Sequence, residues 1–135
     1  MLFPSIHFNG NCDEAITFYK EALGAKVKEI AYAKDAPAST GMGEVPPNFV
    51  MHSEIELFGI ICALSDGMET PIKSDHHCFL LLLDTDEEVT TVFNKLADGG
   101  KIINSLEPQF WTTLFGYVQD KFGVNWSINV KSHTK

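Results

Sequence analysis

His52, Glu54 and Glu56 recur at every second position of one short stretch. In an extended strand, side chains alternate between the two faces, so these three would share one. An imidazole beside two carboxylates can take and return a proton near neutral pH, which makes the set a candidate acid/base group. A solvated strand face at a sheet edge accounts for the same spacing without chemistry. Phe110 and Trp111 form a second candidate. They are adjacent aromatics in an irregular stretch, suited to wall a planar or apolar ligand, or to plug a core. Cys12, Cys62 and Cys78 give an odd count with no CxxC pair. No disulfide framework is expected; each cysteine reads as a small buried hydrophobe, and a reducing cytoplasm suits them. No Ser-His-Asp or Cys-His nucleophile set can be assembled from the sequence.

The chain of 135 residues is long enough to bury one real core, and 44% apolar and 21% charged residues are ordinary for a globular domain. A formal net charge of −8 argues against a nucleic-acid partner, which needs clustered basic residues. The apolar run 78–83 is too short to span a bilayer, and the N-terminus lacks the pattern of a signal peptide. Gly41-Met42-Gly43-Glu44 has neither the strand–helix context nor the later glycine of a phosphate loop. That counts against S-adenosylmethionine or dinucleotide binding on a Rossmann fold.

These residues need elements to position them. Residues 3–9 read as a strand, and Asn11 with Glu14 reads as a capping box for a helix carrying Ala15, Ile16, Tyr19, Ala22 and Leu23 on one side. Gly24 stops it, and 26–32 is a strand. Residues 33–48 hold Pro37, Pro46, Pro47, Gly41 and Gly43 and read as a long functional or mobile loop. Residues 49–57 and 60–65 form a hairpin turning at Phe58-Gly59. Residues 76–83 read as a strand buried on both faces. Thr85 caps a second helix with Val89, Val92, Phe93 and Leu96 inward, and Gly99-Gly100 ends it. Strands at 101–105, 116–119 and 125–130 follow. Trp126 is expected in the core, and Asp120 in the turn before it.

The chain is therefore written twice. At an offset of 74, Asn11 falls on Thr85, Glu14 on Glu88, Tyr19 on Phe93 and Ala22 on Leu96, and one extra residue then aligns the glycines. Each half reads strand, helix, strand, strand, strand. The expectation is an α+β single domain, 1–135, of paired βαβββ modules. Module one covers about 1–67, a linker 68–75, and module two about 76–131. The modules would form a curved eight-stranded sheet around a cavity, with helices outside.

The local words carry a resemblance. Phe8-Asn9-Gly10-Asn11-Cys12-Asp13-Glu14-Ala15 is similar to the F-x-G-N-C-x-E-A opening of the PhnB-like branch of the vicinal oxygen chelate superfamily. That superfamily includes glyoxalase I, bleomycin- and fosfomycin-resistance proteins and extradiol dioxygenases. Met51-His52-Ser53-Glu54-Ile55 resembles its M-H-A-E-L strand, and Leu64-Ser65-Asp66 its L-S-D strand end. Phe110-Trp111 through Ile128 resembles its F-W-G … D-x-F-G-x-x-W-x-I segment. Thr112 replaces the usual glycine there, and Leu114 a residue that is commonly charged.

The resemblance implies a metal in some members, held by two His and two Glu or close variants on four strands. Here Pro4 falls at the first-strand histidine, Cys62 or Leu64 at the fourth-strand glutamate, and Ser127 at the last-strand acid. Pro4 would answer to His76 or His77 in the second half, and Cys62 or Leu64 to Ser127. Alternation sends His7 to the face opposite Pro4, Ile6 and Phe8. His76 and His77 are weak metal candidates, so the usual metal centre, and any other cofactor, is not expected. An improvised site would draw on His52, Cys62 and His76 or His77.

The resulting expectation is a small-molecule-binding protein of unknown ligand. Its cavity would be lined by Phe8, His52, Glu54, Cys62, Leu64, Phe110 and Trp111, under the 33–48 loop. The alternatives are a divalent-metal-dependent lyase or isomerase of the glyoxalase type, and a scaffold with a collapsed cavity. The family leads one to expect a homodimer, through edge strands or exchanged modules. No nucleic-acid or membrane partner is expected.

Overall fold

The computed structural model describes residues 1–35, 45–67 and 69–131. The chain divides into two compact units, Met1–Ile72 and Lys73–Lys135. The first contains β1 (Ser5–Phe8), α1 (Cys12–Leu23), β2 (Lys26–Tyr32), a 3₁₀ turn (Ala33–Asp35), β3 (Val50–Leu57) and β4 (Ile60–Asp66). The second contains β5 (Phe79–Leu83), α2 (Asp86–Ala97), β6 (Lys101–Gln109), β7 (Thr112–Gln119) and β8 (Asn125–Val130). The eight strands hydrogen-bond in two four-stranded sheets, ordered β1-β4-β3-β2 and β5-β8-β7-β6. The first and last strands of each unit run parallel, and the other pairs are antiparallel. The fold is the α+β arrangement of two βαβββ units that the repeat predicts.

α1 buries Cys12, Ala15, Ile16, Tyr19, Ala22 and Leu23, the stripe expected from their spacing. It ends at Gly24, whose φ of 68° is left-handed and costs a glycine little. There the N–H groups of Gly24 and Ala25 close on the carbonyls of Lys20 and Tyr19. Its start differs from expectation, because the Asn11 side chain makes no capping bond. Instead Asp66, at the end of β4, accepts the N–H of Gly10 at 2.7 Å and of Cys12 at 3.0 Å. A buried carboxylate is the stronger acceptor and displaces the neutral amide. α2 does form its capping box: Thr85 Oγ1 accepts the Glu88 N–H at 3.1 Å and donates to the Glu88 carboxylate at 3.1 Å.

The duplication reaches into the backbone irregularities. β2 carries a bulge at Lys28, between the pairs Val27↔Ile55 and Glu29↔Glu54. β6 carries one at Ile103, between Ile102↔Val118 and Asn104↔Tyr117. The two bulges stand at equivalent places, so the registers align the halves residue by residue. Glu54 pairs with Ala63 and Tyr117 with Ser127, so Ser127 answers to Ala63 and not to Cys62 or Leu64. Ser5 pairs with Ala63 and Leu80 with Ser127, so Pro4 answers to Phe79 and not to His76 or His77.

Other expectations also shift. β5 starts at Phe79 and is buried on one face only: Leu81 and Leu83 are covered, while Leu80 and Leu82 are 61% and 46% exposed. β5 is the edge strand of its sheet, and α2 packs on one of its faces. Cys78 precedes the strand and is exposed, unlike buried Cys12 and Cys62. β6 runs to Gln109 and β7 begins at Thr112, so Phe110-Trp111 is a tight hairpin turn. Thr112, where the family usually has glycine, donates to the Val130 carbonyl at 2.8 Å. Trp126 lies in the core as expected, and its Nε1 donates to Asp120 at 3.0 Å. Asp120 also accepts the N–H groups of Phe122 and Val124, so its turn role holds. The 33–48 loop is described only at its ends, where Ala33 N–H reaches the Phe49 carbonyl and Lys34 N–H that of Pro47. Residues 36–44, with Pro37 and the Gly41–Gly43 stretch, lie outside the described residues.

Candidate functional site

In each unit, one sheet face carries the helix and the other is turned away from it. On the first sheet, Asp66 alternates with Leu64 and Cys62 and bonds the start of α1, so these three lie on the helix face. Phe8 pairs with Asp66 on that face, and all are buried. His52 and Glu54 alternate with buried Ser53 and Ile55 and lie on the opposite face. The expected lining therefore splits in two. Phe8, Cys62 and Leu64 are core beneath α1, and His52 and Glu54 remain as candidates. Burial pushes the Cys62 thiol up. The Cys12 thiol is also pushed up, by burial and then by Asp66 and Asp13. Neither is poised as a thiolate ligand or nucleophile.

The far face of the first sheet brings Glu29 to His52 and Glu54. One donor atom of each lies within 4.8 Å of the others. His52 Nε2 stands 3.4 Å from Glu54 Oε2. Glu56 pairs instead with Lys28 at 3.5 Å. His7 falls on the same face, two strands away, with Ser5 Oγ 3.4 Å from its Nε2.

The far face of the second sheet is different in kind. Register pairs Asn129 with Phe115 on β7 and Leu82 on β5. Trp111 meets Phe115 with ring centroids 5.8 Å apart, and Phe110 meets Trp111 at 4.9 Å, both edge-on. Phe110 is 97% exposed and Trp111 48%, so neither is a core plug. Amid these side chains Asn129 is only 7% exposed, and its buried Oδ1 has no hydrogen-bond partner among the described residues. One place along the sheet, Tyr117 pairs with Ser127. The Tyr117 phenol is held above its usual range by burial and then by Cys78. It stays a neutral donor there.

This pair of βαβββ units can be set beside known proteins. The sequence model of the Glyoxalase/Bleomycin resistance protein/Dioxygenase superfamily matches residues 6–128. The chain belongs to that superfamily. It is 35% identical to protein YjdN of Escherichia coli K12, over 96% of this chain and 94% of that protein. Protein PA1353 of Pseudomonas aeruginosa has a similar structure, with a TM-score of 0.83 and 28% identity over 97% of both chains. The PhnB protein of Bacillus cereus follows, with a TM-score of 0.80 and 25% identity over 96% of this chain and 98% of its own. Within the superfamily, the chain is of the PhnB-like kind.

The residues that the resemblance places at the superfamily's metal positions do not form a ligand set, taken strand by strand. Pro4 has no side-chain donor, and its carbonyl is occupied by the Ala63 N–H at 2.9 Å. Cys62 and Leu64 turn toward α1, and the register position equivalent to Ser127 is Ala63. The fifth-strand position equivalent to Pro4 is Phe79, stacked on Trp126 at 5.0 Å. His76 and His77 sit before β5, exposed and edge-on to each other at 4.9 Å.

Two residues of these faces escape sequence reasoning. Glu29 reaches the far face only because the bulge at Lys28 shifts its phase, and a bulge has no marker in the local sequence. Asn129 is legible as facing away from Ile128 and Val130. That its acceptor is orphaned depends on neighbours from β5 and β7.

Proposed function

We propose that this protein binds a small organic molecule on the far face of its second sheet, without a metal at the positions its superfamily uses. The orphaned Oδ1 of Asn129 carries the reading. A buried acceptor left unpaired costs about 1–3 kcal/mol, and such groups mark sites where a ligand or ordered water supplies the donor. The neighbours define the rest of the ligand. Phe115, Trp111 and Phe110 favour a flat or apolar body, and the Tyr117 phenol supplies a donor one strand pair away. All ten basic residues are lysine and the net charge is −8. With no guanidinium fork for a carboxylate or phosphate, a neutral or cationic ligand with an N–H or O–H donor fits best.

The test is native mass spectrometry of the protein after incubation with a bacterial metabolite extract. Wild type should retain a small molecule that Asn129→Leu and Trp111→Ala both lose. Retention unchanged in both variants, or none by wild type, overturns the reading.

The same protein would act in a reducing cytoplasm, where Cys12, Cys62 and Cys78 stay free. Among the described residues, no helix is long and apolar enough to cross a membrane. We also propose a homodimer, with exposed Leu80 and Leu82 on edge strand β5, and Ile102 and Ile103 on the opposite edge strand β6, as apolar surfaces to cover. Light scattering at two concentrations checks this. One observation favours a metal-dependent lyase or isomerase as the second reading, namely the carboxylate–imidazole group on the first sheet.

A further inference from the structure

We infer that Glu29, His52 and Glu54 form a divalent-cation site on the far face of the first sheet, made of residues other than those at the superfamily's metal positions. Three observations converge. First, the donor set is one imidazole and two carboxylates, with an atom of each within 4.8 Å of the others. That mixture suits Zn²⁺, Ni²⁺ or Mn²⁺. Second, one separation within the set matches that of two ligands around one ion. Two donors each about 2.1 Å from a tetrahedral cation stand about 3.4 Å apart. His52 Nε2 and Glu54 Oε2 are 3.4 Å apart. A charge-assisted hydrogen bond would draw them to about 2.7–2.9 Å.

Third, the backbone brings like charges together, and among the described residues no lysine neutralises them. Glu29 and Glu54 are direct cross-strand partners, an arrangement that destabilises a sheet. Without the bulge at Lys28, Glu29 would have faced the buried side with Ser53. With it, Glu29 joins Glu54, and Lys28 is drawn to Glu56 at 3.5 Å. Among the described residues, no lysine lies within ion-pair distance of Glu29 or Glu54. A bulge that re-aims a side chain is a recurrent device beside functional sites. A cation would relieve the repulsion, and its remaining coordination positions would be open to water or an oxygen-bearing ligand.

The experiment is a calorimetric titration of the full chain, stripped with chelator, using Zn²⁺ and Ni²⁺ separately. One equivalent should bind with micromolar or tighter affinity. Glu29→Gln, His52→Ala and Glu54→Gln should each weaken binding by about tenfold or more. Glu56→Gln, His77→Ala and Asn129→Leu should leave it unchanged. The targeted side chains are partly exposed, and circular dichroism verifies that each variant folds. In a parallel measurement, Mn²⁺ should broaden the His52 imidazole resonance before those of His7, His76 and His77. The inference is overturned if uptake is not saturable, or if it survives the three substitutions and is lost in His76→Ala/His77→Ala. Because Asn129→Leu is silent here, failure of this site leaves the ligand reading of the second sheet standing, and the reverse.

Discussion

Asp66 holds Cys12 in place: its Oδ1 accepts the Cys12 backbone N–H at 3.0 Å, joining the last residue of β4 to the first of α1. The same carboxylate takes the N–H groups of Gly10 at 2.7 Å and Val50 at 2.9 Å, so one side chain ties three segments. Hydrogen bonds to a charged acceptor are worth about 1.5–3 kcal/mol each, and removing it leaves buried donors unmet. Asp66→Ala should destabilise the protein by about 3–5 kcal/mol, seen as a lower urea midpoint. Asp66→Asn, which keeps one acceptor oxygen, should fall between the two.

Two glycines are required by close approach. A Cβ at Gly116 would run into Phe93 Cε2 on α2 and stand 2.7 Å from its Cδ2. A Cβ at Gly100 would meet the Gln119 carbonyl oxygen and stand 2.9 Å from Asp120 Cα. Gly116→Ala should cost about 1–3 kcal/mol, because side chains can give. Gly100→Ala should cost more, because its obstacle is backbone. Thermal melts of the two variants should rank them in that order.

Asn129→Leu should separate stability from binding. It replaces an orphaned buried acceptor with an apolar group of similar size, which is expected to gain about 1 kcal/mol. The melting temperature should rise while ligand retention is lost, a trade typical of residues kept for function. A lower melting temperature would mean that Asn129 is satisfied internally and serves the fold.

Tyr32 gives a pH signature. Its hydroxyl donates to Asp13 Oδ1 at 2.7 Å, and this bond, followed by burial and the Asp13 charge, raises its pKa to about 12. A raised folded pKa means the contribution to stability is full below the unfolded value of about 10 and is lost as pH rises toward 12. Ultraviolet titration should show a tyrosinate step near pH 12 in wild type that is missing in Tyr32→Phe. The stability gap between the two proteins should close over that alkaline window.

Much of the scaffold is readable from the chain. The helix stripes, the Thr85 box, the Gly24 stop and the repeated strand order need only local spacing. The faces were harder. Alternation says that Phe8 shares a face with Ile6, and His52 with Glu54. It does not say which face the helix covers, because that depends on packing between distant segments. Alternation alone is therefore as consistent with Phe8, Cys62 and Leu64 lining a cavity as with their packing beneath α1, where they lie. The Asn11 cap fails for a similar reason, since its rival Asp66 is more than fifty residues away. An apolar run marks a strand without marking its first residue, so the sequence does not separate His76 and His77 from β5, which begins at Phe79.

The bulges at Lys28 and Ile103 have a consequence for ancestry. An irregularity kept at the same place in both halves belonged to the single unit before it was copied. The kink therefore predates the divergence of the two faces, one now bearing carboxylates and the other aromatic rings. Each half inherited a backbone already aimed at this place, and the two faces differ there by the side chains that an equivalent register carries.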